Sequence, residues 1–137
     1  MIGLDTNVLV RYFMQDDPRQ GAVAKRFIDD AGAQGEALYI NRVVLAELTW
    51  VLARFYRLGR DEVADALERV LYTIQFVIEG KEYAWEALRA FRNSSADFAD
   101  CLIGAINKGA DCDATITFDR KTERLEAFKL LKARGER

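Results

Sequence analysis

The 137-residue chain contains no histidine. That absence excludes Ser-His-Asp and Cys-His nucleophilic chemistry, paired-histidine nucleases and zinc sites of the usual nitrogen and sulfur type. Any chemistry must fall to carboxylates, hydroxyls, amides, lysine, arginine, tyrosine or a metal. Only two cysteines occur, Cys101 and Cys112, too few for a disulfide framework. Cys101 lies in an apolar helical run and reads as a small buried thiol, and the pair points to a reducing, cytoplasmic compartment. With a single proline, no repeat and no low-complexity stretch, nothing marks a linker, and one domain is expected over residues 1–137. There is no charged-then-apolar leader and no apolar stretch near 18 residues, so neither export nor a membrane span is expected. Excess positive charge is missing too. Twenty basic residues against 22 acidic ones leave a net charge of −2, which argues against coating nucleic acid by bulk attraction. A nucleic-acid substrate would need a local basic patch or a metal.

What is present is a chain 50% apolar and 31% charged, the balance of a globular protein with a core. Residues 1–4 read as a buried strand ending at Asp5, and residues 8–14 as an apolar helical pattern after the turn Asp5-Thr6-Asn7. From 19 to about 33, Ala22, Val23, Phe27 and Ile28 predict an amphipathic helix. A strand over 37–40 leads to Asn41, a good N-cap for a helix over 42–57. Further helices are expected over 61–72, 82–92 and 97–108, the last capped by Ser94. Short strands are expected at 76–78, 114–118 and 128–131. Strands alternating with helices define an α/β class with a mainly parallel central sheet.

Most of the 22 acids sit among polar neighbours where a helix would face water, Asp29, Asp61, Glu79 and Glu126 among them. Four do not. Asp5 and Asp119 each end an apolar strand. Glu47 is flanked at helical spacing by Val43, Val44, Trp50 and Val51, which predicts a carboxylate on an apolar face. Asp100 carries the only charge from Phe98 to Asn107. A carboxylate in apolar company costs free energy unless something compensates it, and ligands of parallel α/β sheets gather beyond the carboxyl ends of strands. Each acid also has a structural alternative. Asp5 and Asp119 could cap the helices that follow them, and Glu47 and Asp100 could pair with buried arginines. Asp97 fits a capping box with Ser94, or a supporting role beside a metal.

The same residues carry a resemblance. Ile2-Gly3-Leu4-Asp5-Thr6-Asn7-Val8-Leu9-Val10 looks like the opening of PIN-domain nucleases, and Val43-Val44-Leu45-Ala46-Glu47-Leu48 resembles their second acidic motif. Asp97-Phe98-Ala99-Asp100-Cys101-Leu102-Ile103 and Ile116-Thr117-Phe118-Asp119-Arg120-Lys121 resemble the third and fourth. The size is most similar to the VapC-like toxins of type II toxin–antitoxin systems. The resemblance implies a three-layer α/β/α PIN-like domain and a magnesium- or manganese-dependent endoribonuclease, dimeric and silenced by a cognate antitoxin. It implies Asp5, Glu47, Asp100 and Asp119 as the acidic catalytic and metal site, with Asn7 and Thr117 as polar support. Asn41 departs from the serine or threonine often found six residues before the glutamate, while keeping the capping role.

Four carboxylates need such a metal. Two of them about 4 Å apart repel by about 1 kcal/mol in water and about 4 kcal/mol at an effective dielectric near 20. Divalent cations relieve this repulsion, and oxygen-only ligands select magnesium or manganese over zinc. The expected reaction is hydrolysis of an RNA phosphodiester by water whose pKa the ion lowers. Asp5 and Asp100 are expected as direct ligands, and Glu47 and Asp119 directly or through water. Arg120 and Lys121 are the preferred RNA contacts because they adjoin Asp119. Other basic groups are Arg54, Arg57 and Arg60, and the tail Lys129, Lys132, Arg134 and Arg137. Trp50, Phe55 and Tyr56 read as core or interface rather than base-stacking platforms. The competing function is a catalytically silent PIN-like module that binds RNA or protein; a receiver-like or phosphatase domain would want a second acid close to the first after the first strand, which Asp5-Thr6-Asn7 lacks.

Overall fold

Every strand pairing is parallel, the arrangement that strands separated by helices impose. The computed structural model describes residues 1–135, so Arg137 of the basic tail lies outside the described residues. The chain forms two compact units, Met1–Lys81 and Glu82–Arg137, and its class is mixed α/β with parallel sheets.

The first unit runs β1 (Ile2–Gly3), α1 (Thr6–Met14), α2 (Pro18–Gln34), β2 (Leu38–Ile40), α3 (Arg42–Arg54), α4 (Arg60–Tyr72) and β3 (Phe76–Ile78). Its sheet has the order β1-β2-β3, with Leu38 opposite both Ile2 and Phe76. The central strand buries Leu38 and Ile40 completely, whereas Ile2 is 43% exposed. The expectation of a buried first strand is therefore corrected: β1 is a two-residue edge strand, and burial begins only at Leu4.

Helix α3 starts where Asn41 predicts, with the Val44 N–H donating to Asn41 Oδ1 at 2.9 Å. It ends at Arg54, a turn earlier than expected. Its buried stripe is Val44, Leu45, Leu48, Thr49 and Leu52, and each leucine taken from water contributes about 1.5–3 kcal/mol. That stripe determines how the helix lies. Val43 and Trp50, which share the face of Glu47, are 64% and 63% exposed. Of the apolar company of Glu47, Val44 is core, while Val43 and Trp50 are not. Helix α2 shows the same displacement: Gly21, Ala24, Ile28 and Ala31 are buried, while Val23 and Phe27 are exposed. Glu79, expected as a solvated acid, instead accepts from the Arg42 N–H at 2.9 Å and pairs with Arg42 Nε at 3.4 Å, closing the start of α3.

The second unit runs α5 (Lys81–Arg92, from its second residue), α6 (Phe98–Gly109), β4 (Thr115–Thr117), a 3-10 turn (Arg120–Thr122) and β5 (Phe128–Leu130). Thr115 lies opposite Phe128 in a two-stranded sheet. Phe91 and Phe98 meet edge to face at 6.1 Å. Gly104 packs under the Phe128 ring, which would have to shift to admit a methyl there. The expected capping box is not formed. Ser94 Oγ donates back to the Ala90 carbonyl and accepts from the Ala96 N–H, so it closes α5 rather than opening α6. Asp97 takes the N-cap position of α6 without a side-chain cap bond. No helix among the described residues is long and apolar enough to cross a membrane.

Candidate active site

Asp5 and Glu47 are joined through a residue that the sequence motifs did not single out. Asp5 follows the carboxyl end of β1 and caps α1, its Oδ1 accepting from the Thr6 N–H at 2.7 Å. The Thr6 hydroxyl then donates to Glu47 Oε1 at 2.6 Å. Thr6 is buried, whereas both acids are exposed. One buried residue thus orients an acid from β1 and an acid from α3. The only signal for it was its place beside Asp5, where a hydroxyl at the first helical position has no capping duty of its own. Glu47 takes this bond from a neutral donor and not from an arginine. Asn7 is exposed and holds no side-chain hydrogen bond among the described residues; with Asp5, Ile2, Val23 and Phe27 it lines a groove of about 590 Å³.

Asp100 and Asp119 are brought together within the second unit. Asp100 sits in the first turn of α6 and Asp119 follows the carboxyl end of β4. Burial holds the Asp100 carboxyl above the ordinary aspartate range, the negative charges of Asp119 and Asp97 raise it further, and a hydrogen bond with Asp119 adds to them. The Lys121 ammonium partly offsets these effects. Asp119 is held firmly: its N–H donates to Thr117 Oγ1 at 3.0 Å, and its Oδ1 accepts from the Lys121 N–H at 2.9 Å. The Thr122 hydroxyl donates to the Asp119 carbonyl at 2.6 Å. Thr122 is fully buried. Asp97, freed from capping, faces Lys121 Nζ at 3.4 Å. Arg120 is exposed beside them.

Among the described residues, no three Asp, Glu or Cys side chains are gathered closely enough to hold a metal ion. What fits a cation is the chemistry of the donors. The charge of Asp119 and a hydrogen bond with it both raise the Asp100 carboxyl, and oxygen-only donors under mutual repulsion suit a hard divalent ion.

Parallel strands followed at their carboxyl ends by aspartates, with further acids on the succeeding helices, define the class of a carboxylate-based α/β protein. The chain belongs to the PIN domain family, whose model matches residues 2–127. It is also similar to the VapC ribonuclease of Aquifex aeolicus (strain VF5), with 25% identity over 122 residues, 89% of this chain and 90% of that protein.

Proposed function

We propose that this chain is a divalent-metal-dependent endoribonuclease, the toxin of a toxin–antitoxin pair, acting as one nuclease domain over residues 1–137. Asp5, Glu47, Asp100 and Asp119 are its acidic catalytic residues. The observation that carries this reading is the Asp100–Asp119 pair, two carboxylates held together in a chain without histidine. The family match and the similarity to a ribonuclease support RNA as the substrate. A cognate antitoxin, a homodimer and a cytoplasmic setting belong to the same reading.

Asp5 and Asp100 would hold magnesium or manganese directly, and Glu47 and Asp119 directly or through water. Such an ion supplies Lewis acidity, which lowers the pKa of water and neutralises charge on the phosphate. The chain's own residues supply orientation. Thr6 fixes Glu47 by a charge-assisted hydrogen bond and Asp5 by its backbone N–H. Thr117 and the Lys121 N–H fix Asp119. Asp97 holds the Lys121 ammonium, and Arg120 and Lys121 offer positive charge to a phosphate.

The test is cleavage of total RNA by the purified protein with manganese, with magnesium and with EDTA. Cutting that needs the metal and disappears in Asp100→Asn is expected. Equal cutting in EDTA would overturn the metal requirement, and binding without cutting would favour the silent module.

A further inference from the structure

Helix α3 presents a second stripe, opposite the one it buries. Val43, Glu47, Trp50 and Arg54 follow one another at spacings of four, three and four residues, which places them on one face of an α-helix. All four are exposed. Trp50 stands about 4.5 Å along the axis from Glu47, and Arg54 about 6 Å beyond Trp50. Past the helix end, Arg57 is exposed in a left-handed conformation at φ 56°. Neither Arg54 nor Arg57 holds an ion pair or side-chain hydrogen bond among the described residues.

We infer that Trp50 is a base-stacking subsite for single-stranded RNA, with Arg54 and Arg57 receiving the adjoining phosphates; this rests on the ribonuclease reading above. An indole left 63% exposed keeps a flat apolar face in water on which a partner ring can lie. Charge selects the occupant. The stripe is interrupted by a carboxylate on one side of the ring and by uncommitted guanidinium groups on the other. A nucleic-acid strand matches that sequence: a base lies flat on the indole, and its phosphates meet the arginines. A purely apolar partner would leave Arg54 and Arg57 desolvated and unpaired. The strand would enter over the arginines and pass Trp50 on its way to Glu47, so the ring holds a nucleotide one helical turn from an acidic residue of the proposed reaction. Trp50 thus influences which base stands beside the cut, through stacking strength, without reading it by hydrogen bonds.

The test uses the cleavage-silent Asp100→Asn full-length chain. It measures binding of a fluorescently labelled oligoadenylate and of an abasic sugar-phosphate strand of equal length. Trp50→Ala is expected to weaken the oligoadenylate on the order of tenfold and to leave the abasic strand unchanged, while Trp50→Phe retains most of the affinity. In a Trp85→Phe chain, oligoadenylate should quench the remaining Trp50 emission. Because Trp50 is exposed, its replacement leaves the core intact, which far-ultraviolet circular dichroism verifies. Equal binding of oligoadenylate by Trp50→Ala and its parent would overturn the subsite. So would conversion of a dimer to a monomer by Trp50→Ala in sedimentation, which would give this face to a second copy of the chain. A parent that binds no RNA would overturn the ribonuclease reading itself, a result distinct from either.

Discussion

The two acidic groups of the molecule are held by opposite means. In the first unit, Asp5 and Glu47 are arranged by a neutral donor: one threonine gives its N–H to the first and its hydroxyl to the second. In the second unit, Asp100 and Asp119 lean on each other, and the nearest relief is a lysine held by a third acid, Asp97. The first arrangement is satisfied as it stands. The second keeps like charges close, and Thr117, Lys121 and Thr122 fix the Asp119 member of the pair. The comparison teaches a division of labour: the first group is pre-oriented, while the second has the unmet demand for positive charge.

The largest effect expected is on catalysis. If both groups serve one reaction, Asp5→Asn and Asp100→Asn should each lower manganese-dependent RNA cleavage by on the order of 10²–10³-fold, the scale of losing one preorganised electrostatic group. Single-turnover rates would check this. Full activity in either variant would break the comparison by assigning the chemistry to one group alone. Thr6→Val comes next. It removes a charge-assisted bond, worth about 1.5–3 kcal/mol where it is shielded from water, and Glu47 is exposed, so a roughly tenfold fall in kcat is expected. Thr6→Ser should restore it. Equal kinetics for valine and serine would show that the hydroxyl does not orient Glu47.

Much of this was legible in the sequence, for reasons that can be located. Asn41 announced the start of α3 because capping is a local interaction between residues three apart. The third strand at Phe76–Ile78 is legible because three apolar residues stand together between polar ones. What failed needed non-local information. Helix α3 carries two apolar stripes, and periodicity cannot say which one meets the core; Leu45, Leu48 and Leu52 won, leaving Trp50 outside. Ser94 had the spacing of a capping box, yet its hydroxyl found the carbonyl of the preceding helix first. The four acids were selected by company and position, whereas Thr6, which joins two of them, acts across 41 residues of sequence and left no periodic trace.

A smaller effect tests the frame around the first group. Asn41→Ala should destabilise the protein by about 1 kcal/mol through loss of the α3 cap, seen as a lower urea midpoint with an unchanged slope. Because Glu47 rides on that helix more than a turn from its start, cleavage at saturating manganese should hardly change. A large loss of activity would mean that the cap, and not only Thr6, positions Glu47.

The smallest effect distinguishes a strained group from a satisfied one. The Asp100 carboxyl is raised above its ordinary value of 3.8, so the folded state holds its proton more tightly than the unfolded chain does. That contribution to stability is complete below the unfolded pKa and is lost as the pH rises through the raised folded value. Above it, the ionised group opposes folding. Asp100→Asn should therefore be more stable than the parent at neutral pH, by no more than about 1 kcal/mol, the scale of one like-charge contact at 4 Å in water. Near pH 3 the two urea midpoints should converge, because both chains are then neutral at this position. Saturating manganese should stabilise the parent more than Asp100→Asn at neutral pH, since the ion binds the folded state through the charge that the variant lacks. A variant less stable than its parent at neutral pH would mean that the hydrogen bond with Asp119 outweighs the repulsion, and the second group would then be as satisfied as the first.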